Sequence, residues 1–252
     1  MTQILRTEDL NKRFGGIVVS DNVNVAIDAG EILGLIGPNG AGKTSLFNLI
    51  SGVLRPDSGR IFLNGERIDA VPLHRRARMG VARTWQNMLL FRTMTVIENM
   101  LVAPREYGGE SILRVSFGTG SVRAQESRDR DRAMAILERM GLGNTAGSMV
   151  PDLPFGQQKL VGLARALMND GPLLLLDEPM AGVEGAAYDT MKAVVREEAA
   201  AGRAVCVVEH NVSFIRDLCS RAVFMANGKI LRDGTVEELI ASQELTELYF
   251  GV

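Results

Sequence analysis

Runs of consecutive apolar residues alternate along this chain with segments whose apolar residues recur at helical spacing. The runs in EILGLIG, PLLLLDE and AVCVVEH are short and continuous, which is typical of strands buried on both faces of a parallel sheet. Helix-like segments separate these strands, and such an alternation favours a largely parallel sheet covered by helices. The pattern therefore predicts an α/β fold.

Two further segments have the pattern of β-hairpins. GRIFLNGERI and RAVFMANGKILRDG each carry an Asn-Gly pair between apolar runs. Asn-Gly suits a tight two-residue turn because both residues accept a positive φ. These segments predict an antiparallel β-subdomain beside the parallel core.

In the middle of the chain the strand pattern fades. Ala133, Ile136, Leu137 and Met140 recur at helical spacing, which predicts an amphipathic helix with a charged outer face. Residues 107–127 contain several Gly and Ser and are interpreted as an exposed insertion without predicted internal structure.

The composition is that of an ordinary globular protein, with 252 residues, 46% hydrophobic, 23% charged and a net charge of −2. No basic surplus points to a nucleic-acid partner. Cys206 and Cys219 form neither a CxxC motif nor a metal spacing, so both are interpreted as reduced, buried thiols. The first residues are charged where a signal peptide needs an apolar run, and no apolar run approaches the roughly 20 residues that cross a bilayer. A cytoplasmic protein is expected, with any membrane role acting through a partner.

The segment GPNGAGKT fits the P-loop pattern between a predicted strand and a predicted helix. The glycines let the backbone wrap so that its N–H groups point at phosphate oxygens, and the helix N-terminus adds partial positive charge. Lys43 is expected to be exposed and to reach the β- and γ-phosphates, and the Thr44 hydroxyl to bind Mg²⁺. The predicted phosphate-binding residues are Gly37, Pro38, Asn39, Gly40, Ala41, Gly42, Lys43, Thr44 and Ser45.

Two carboxylates follow the buried strand in LLLLDE. At the carboxyl end of a strand, Asp177 is predicted to hold Mg²⁺ and Glu178 to orient or deprotonate the attacking water. His210 ends another buried strand and is predicted to contact the γ-phosphate. Gln86 follows a third strand-like run and is predicted to contact Mg²⁺ or the water. The other histidine, His74, is interpreted as structural.

The order of P-loop, Gln86, LPFGQQ, LLLLDE and His210 resembles the ATP-binding cassette (ABC) ATPases over essentially the whole chain. The resemblance implies a P-loop, RecA-like parallel-sheet core with an antiparallel β-subdomain and an inserted helical subdomain, and it implies ATP and Mg²⁺ as cofactors. The domains are expected at 1–87 for the first part of the core, 88–160 for the helical subdomain, and 161–252 for the second part of the core with a helical tail.

The resemblance also implies two further nucleotide contacts. Phe14 is expected to stack on adenine, and the signature loop to reach across a dimer to the partner's γ-phosphate through Pro154, Phe155, Gly156 and Gln157. Pro and Phe stand where Ser and Gly are usual in the family. Pro suits the first turn of a helix, and the next residues keep their N–H groups, so the loop is expected to be a working variant.

The segments GVARTWQNMLLF, LPFGQQKLVGLARAL, DEPMAGV and the terminal LYFG resemble the ATPase subunits of branched-chain amino acid importers. Trp85 stands where Phe is expected. This resemblance implies two membrane permease subunits, a second ABC ATPase or a second copy of the chain, and an extracytoplasmic solute-binding protein. It also implies a position on the inner face of the membrane. Residues 88–91 are apolar at an otherwise charged surface, so the permease is expected to dock near them, while some of them are expected to pack under the helical subdomain.

Three alternatives stay open from the sequence. One is a lipopolysaccharide exporter ATPase, against which the middle insertion and the Pro-Phe signature argue. Another is a non-transport cassette protein acting on DNA or ribosomes, which usually has a coiled-coil insertion or two cassettes. The third is a regulatory module without turnover, which intact Lys43, Asp177, Glu178 and His210 argue against.

Overall fold

A computed structural model of the chain describes residues 2–86, 88–103 and 119–243. The predicted terminal LYFG motif and most of the predicted insertion lie outside the described residues. The strands are β1 (Gln3–Phe14), β2 (Ile17–Val23), β3 (Ala26–Asp28), β4 (Ile32–Ile36), β5 (Ser58–Leu63), β6 (Glu66–Arg67), β7 (Val81–Arg83), β8 (Leu173–Asp177), β9 (Ala204–Val208), β10 (Arg221–Ala226) and β11 (Lys229–Thr235). The helices are α1 (Lys43–Ser51), α2 (Leu73–Arg78), α3 (Val96–Leu101), α4 (Thr119–Arg139), α5 (Phe155–Leu167), α6 (Ala186–Ala200), α7 (Val212–Leu218) and α8 (Val236–Ala241).

The larger sheet has six strands in the order β11-β10-β4-β9-β8-β7. All neighbours are parallel except β10 and β11. Every residue of β8 and β9 is buried, as continuous apolar runs predict for central strands. The α/β prediction is confirmed.

A second, antiparallel sheet has five strands, in the order β2-β1-β5-β6 with β3 also paired to β1. Asn64 and Gly65 have φ values of 50° and 78° and join β5 to β6. Asn227 and Gly228 have φ values of 50° and 78° and join β10 to β11. Positive φ at both turn residues is the geometry that Asn-Gly favours, so both predicted hairpins are confirmed. The expectation that both belong to the antiparallel subdomain is wrong for the second hairpin, because β10 and β11 are strands of the six-stranded sheet.

The described chain forms two compact units. The first unit comprises residues 1–86, 171–181 and 195–252 and contains both sheets, and one apolar core joins the inner faces of the two sheets to α1. The second unit comprises residues 87–170 and 182–194 and contains α3, α4 and α5. The predicted domain boundaries stay a prediction.

Helix α4 begins earlier than the sequence predicts. Residues 119–127, which the sequence assigns to an exposed insertion without predicted internal structure, are its first turns. They lack an apolar stripe, which is why periodicity misses them, but Arg, Gln and Glu favour helix. Hydrogen bonds from Gln125 to Asp129 (3.0 Å) and from Arg128 to Gln125 (2.6 Å) follow the helix surface. The predicted apolar stripe is buried: Ala133, Ile136 and Leu137 lie on α4, and Met140 directly follows its last residue.

Arg76 fastens the end of helix α1. Its side chain is 1% exposed and donates to the carbonyl oxygens of Leu49 (2.6 Å) and Ile50 (2.8 Å), which have no partner within the helix. Burial lowers the pKa of the guanidinium to about 10. The buried cation fixes the C-terminal end of the helix whose N-terminal end carries the P-loop.

Candidate functional site

The P-loop connects β4 to α1, and its glycines are required by its shape. Gly37 has φ 150°, and a Cβ there would lie 1.9 Å from the Met225 carbonyl oxygen. Gly42, which precedes α1, has φ 106°, and a Cβ there would lie 2.4 Å from the Val19 carbonyl oxygen. Gly40 has φ 79° in open space. At Gly37 and Gly42 only glycine satisfies both the torsion and the close approach, whereas at Gly40 only the torsion favours glycine.

Lys43 is 6% exposed, so the expectation of an exposed side chain is wrong. Its Nζ donates to the carbonyl oxygens of Gly37 (2.6 Å) and Pro38 (2.9 Å). Burial lowers the pKa of this ammonium, and the nearby charges of Glu178 and Asp177 oppose that shift. The loop therefore supplies two hydrogen-bond acceptors to its own lysine.

The remaining predicted phosphate-binding residues lie at the surface of the loop and at the start of α1. Asn39, Gly40 and Thr44 are exposed, Pro38 and Ser45 are half-buried, and Ala41 is buried. An exposed first turn of a helix leaves its N–H groups accessible to an anion.

The strands bring the other predicted residues to the same edge of the sheet. Leu35 on β4 and Asp177 on β8 are both paired in register with Val208 on β9. The carboxyl ends of these parallel strands therefore lie side by side, with the P-loop following one strand and the predicted catalytic residues following the others.

Gln86, Glu178 and His210 form one hydrogen-bonded cluster. Gln86 Nε2 donates to Glu178 Oε2 at 2.8 Å, and His210 Nε2 lies 3.0 Å from Glu178 Oε1. Glu178 has φ 48°, in the left-handed region that a non-glycine residue rarely adopts and that costs about 1–3 kcal/mol. Gln86 and His210, predicted from separate motifs, therefore meet at the carboxylate of Glu178, whose backbone is strained.

Asp177 is paired with a residue that the sequence reasoning missed. Arg83 Nη2 donates to Asp177 Oδ2 at 2.8 Å, and the side chains are 4% and 2% exposed. The sequence feature that could have revealed Arg83 is its position, because it is a charged residue at the end of the strand-like run before TWQ. Asp177 Oδ1 is buried and has no hydrogen-bond partner among the described residues. A buried carboxylate oxygen with no partner fits a divalent cation or its water.

Glu209 is a second residue that the sequence reasoning missed, hidden because it precedes the more conspicuous His210. It is 4% exposed, and its oxygens accept the backbone N–H groups of Met180 (2.6 Å) and His210 (3.1 Å). Burial raises the pKa of this carboxyl, and the donated N–H groups oppose the shift. The carboxylate ties the loop after Glu178 to the loop that carries His210.

Phe14 ends β1 and is 47% exposed, with the Lys12 ammonium 5.4 Å from its ring centroid. An exposed ring at a strand end offers a surface for stacking, and its role with adenine stays a prediction.

The predicted signature residues lie at the start of α5, in the second compact unit. The helix begins at Phe155, and Pro154 precedes it with φ −53° and ψ 148°. The expectation that Pro154 lies within the first turn is therefore one residue off. Phe155 is 49% exposed, and Gly156 and Gln157 are half-buried. Pro154 offers no side-chain cap, so the N–H groups of the first turn are left for another partner.

The fold and the site together define an α/β nucleotide-binding protein of the P-loop class. A model of the ABC transporter family matches residues 20–181. The chain therefore belongs to the ABC transporter family and is an ABC-type ATPase.

The full chain is similar to several curated members of this family. It is 35% identical over 251 residues to the high-affinity branched-chain amino acid transport ATP-binding protein LivG of Escherichia coli K12, covering 98% of each chain. It is 34% identical over 249 residues to the corresponding protein BraF of Pseudomonas aeruginosa, again covering 98% of each. It is 31% identical over 248 residues to the lipopolysaccharide export system ATP-binding protein LptB of Haemophilus influenzae, covering 98% of this chain and 97% of LptB.

Solved structures show the same fold. A nucleotide-free ATP-binding cassette of an ABC transporter superposes with a TM-score of 0.85 at 31% identity, covering 98% of each chain. The ATP-binding cassette MJ1267 in its ADP conformation superposes with a TM-score of 0.86 at 30% identity, covering 100% of each chain. The expected ABC ATPase architecture is confirmed. In the part of the chain that is described, the helices are too short or too polar to span a membrane.

Proposed function

We propose that this chain is the ATP-hydrolysing subunit of an ABC importer that takes up branched-chain amino acids or a related small polar solute. The observation that carries the proposal is the similarity to LivG and BraF over 98% of the chain, combined with a complete cluster of Gln86, Glu178 and His210 beside the P-loop. LptB is also similar over the full chain, so lipopolysaccharide export is the second candidate.

Nucleotide binding follows from the P-loop geometry. The N–H groups of the loop and of the first turn of α1 bind the phosphates, and Phe14 stacks on the adenine. Lys43 moves its hydrogen bonds from the carbonyls of Gly37 and Pro38 to the β- and γ-phosphates. A Mg²⁺ ion, held by the Thr44 hydroxyl and near Asp177 and Gln86, would neutralise phosphate charge when bound.

Hydrolysis is assigned to the cluster around Glu178. Its carboxylate accepts a proton from the water that attacks the γ-phosphorus, and the bond to the ADP oxygen breaks. Gln86 and His210 each hold one carboxylate oxygen and so fix its direction. We assign His210 a second role, the donation of a hydrogen bond to the γ-phosphate once nucleotide is present.

The signature residues Pro154, Phe155, Gly156 and Gln157 act in a dimer. We propose that the backbone N–H groups of Phe155, Gly156 and Gln157 bind the γ-phosphate held by the P-loop of a second ABC ATPase or of a second copy, since Pro154 has no N–H to donate. Each hydrogen bond to such a charged group contributes about 1.5–3 kcal/mol. Loss of the usual Ser hydroxyl therefore weakens ATP-driven closure without abolishing it.

The permease docks on the segment after Gln86, on the cytoplasmic side of the membrane. Leu89 and Phe91 are 58% and 47% exposed, which is unusual for large apolar side chains lying close together. Met88 and Leu90, in the same segment, are half-buried. Two permease subunits and an extracytoplasmic solute-binding protein complete the proposed transporter.

Reconstitution tests the function. The chain, the permeases and partner ATPase that copurify with it, and the solute-binding protein are placed in liposomes, and uptake of leucine, isoleucine and valine is measured with and without ATP. We expect ATP-dependent uptake with the wild-type chain, and we expect Glu178→Gln to abolish it. Absence of uptake together with ATP-dependent extraction of lipopolysaccharide would support the second candidate instead. Leu89→Asp and Phe91→Asp should prevent copurification with the permease, whereas Val53→Asp, at another exposed apolar residue (43% exposed), should not.

A further inference from the structure

The guanidinium of Arg83 joins three elements of the first compact unit. From the end of β7, Nη2 donates to Asp177 Oδ2 on β8 at 2.8 Å. Nη1 donates to Asn48 Oδ1 (2.7 Å) and to Ser51 Oγ (3.0 Å), both on α1. The Trp85 ring lies over the guanidinium, 4.2 Å from its carbon to the ring centroid. The group is therefore held in one plane by hydrogen bonds at its edge and by an aromatic ring on its face.

Stability alone does not explain this ion pair. Both side chains are almost fully buried, and Arg83 Nε has no hydrogen-bond partner among the described residues. Removing two charges from water costs several kcal/mol for each ion, and apolar residues of similar volume often serve a core at least as well. A buried ion pair with such a desolvation cost, at the ligand-binding edge of the sheet, points to a role in the site.

The two oxygens of Asp177 are treated differently. Arg83 engages Oδ2, while Oδ1 is buried without a partner. The Asp177 N–H donates to Thr84 Oγ1 at 3.1 Å, so the backbone is fixed as well. A carboxylate with one oxygen anchored and the other buried without a partner has a single orientation in which to meet a cation.

We propose that Arg83 is a positioning residue that clamps Asp177 to the P-loop helix and presents Oδ1 to the Mg²⁺ that accompanies ATP. The clamp rests on the proposed metal role of Asp177. It places the metal carboxylate, β7 and α1 in one rigid unit, so the metal ligand and the phosphate-binding loop keep a fixed spacing. Hydrogen-bond partners behind metal ligands act in this way, and their loss typically costs about 10–100-fold in metal affinity.

The positive charge of Arg83 also repels a bound cation. Repulsion of the cation and orientation of Asp177 predict opposite changes in metal affinity when Arg83 is removed. If repulsion by the guanidinium dominates, its removal strengthens metal binding. If orientation of Asp177 dominates, its removal weakens metal binding, and Arg83→Lys, which keeps the charge but loses the fork of donors, weakens it too.

The experiment measures Mn²⁺ binding, by its electron paramagnetic resonance signal, to the chain loaded with a non-hydrolysable ATP analogue. For Arg83→Met we expect the Mn²⁺ concentration at half-saturation to rise about tenfold or more, and for Arg83→Lys we expect a smaller rise. Affinity for the analogue in EDTA, measured by calorimetry, should not change. Arg203→Met is the matched control, because Arg203 is a buried arginine paired with Glu198 at 3.1 Å in the same unit. It should leave Mn²⁺ binding unchanged.

Unchanged or tighter Mn²⁺ binding in Arg83→Met overturns the proposal. If that variant does not fold, Arg83→Lys decides, and wild-type Mn²⁺ binding by Arg83→Lys overturns the clamp. Asp177→Asn tests the metal role of Asp177 separately from the clamp by Arg83. If Asp177→Asn binds Mn²⁺ normally, the metal role of Asp177 fails. If Asp177→Asn weakens binding and the Arg83 variants do not, only the clamp fails.

Discussion

His210 Nε2 lies 3.0 Å from Oε1 of Glu178, joining the residues that follow two neighbouring parallel strands. Gln86 holds the other carboxylate oxygen. Because Gln keeps the shape of Glu but cannot accept a proton, we expect Glu178→Gln to bind ATP and to lose turnover about 100-fold or more. Phosphate release measures the loss, and size-exclusion chromatography with ATP should show an accumulated dimer. Normal turnover would show that Glu178 is not the base.

The histidine partner gives a paired test. His210→Ala removes one of the two groups that orient Glu178, so turnover should fall while ATP binding is retained. His74, on α2 and exposed, is the other histidine of the chain and provides the control. If His74→Ala and His210→Ala have equal effects, the contact with Glu178 has no catalytic meaning.

Much of this site could be predicted because its signals are local. Strand, Gly-rich turn and helix follow one another in the P-loop, and Asn-Gly fixes each hairpin within two residues. Arg83 could not be predicted in the same way, since its partner Asp177 is 94 residues away. The left-handed conformation of Glu178 is imposed by its tertiary surroundings, against the preference of the residue itself. The first turns of α4 were missed because a solvated helix lacks an apolar stripe.

Lys43 has a structural role as well as its predicted role with phosphate. Its hydrogen bond to the Gly37 carbonyl is buried and its hydrogen bond to the Pro38 carbonyl is partly buried, and bonds to a charged group contribute about 1.5–3 kcal/mol each. We therefore expect Lys43→Ala to lose ATP binding and also to unfold at lower temperature without nucleotide. Lys229→Ala, at an exposed ion pair with Asp21, should change neither property. Wild-type ATP turnover by Lys43→Ala would refute the P-loop assignment.

Gly37 and Gly40 both have positive φ, but only one is crowded. A Cβ on Gly37 would meet the Met225 carbonyl oxygen at 1.9 Å, whereas a Cβ on Gly40 meets nothing within 4 Å. Gly40→Ala should therefore cost only the torsional penalty of about 1–2 kcal/mol. Gly37→Ala should cost more, because the loop must separate from β10. Urea unfolding of the two variants measures the difference, and equal losses would contradict the role of close packing.

Glu209 predicts a pH dependence. Because burial raises the pKa of its carboxyl, the folded chain binds this proton more tightly than the unfolded chain does. This contribution to stability is full below the ordinary carboxyl pKa and is lost as the pH rises through the raised value. The free energy of unfolding of the wild type, relative to Glu209→Gln, should therefore fall as the pH rises above the ordinary carboxyl pKa of about 4. A difference that does not change with pH would show that the carboxyl is not perturbed.

The signature loop makes the last prediction. Pro154 precedes α5 without a side-chain cap, and the exposed Phe155 ring covers Gly182, where a Cβ would lie 2.8 Å from the ring. Pro154→Ser with Phe155→Gly introduces a hydroxyl that can cap the helix or bind phosphate, and capping contributes about 1 kcal/mol. Gly in the first turn costs a similar amount, so stability should change little.

The effect of the double variant should appear instead in ATP-driven dimerisation and turnover in the assembled transporter. We expect the parent to hydrolyse ATP, because the N–H groups of Phe155 and Gly156 and the helix dipole remain, and we expect the double variant to dimerise at lower ATP concentration. Phe155→Ala tests the contribution of the aromatic ring alone, since it removes the ring that covers Gly182 and keeps the proline. A parent without turnover that the double variant restores would mean that the natural Pro-Phe sequence had disabled the loop.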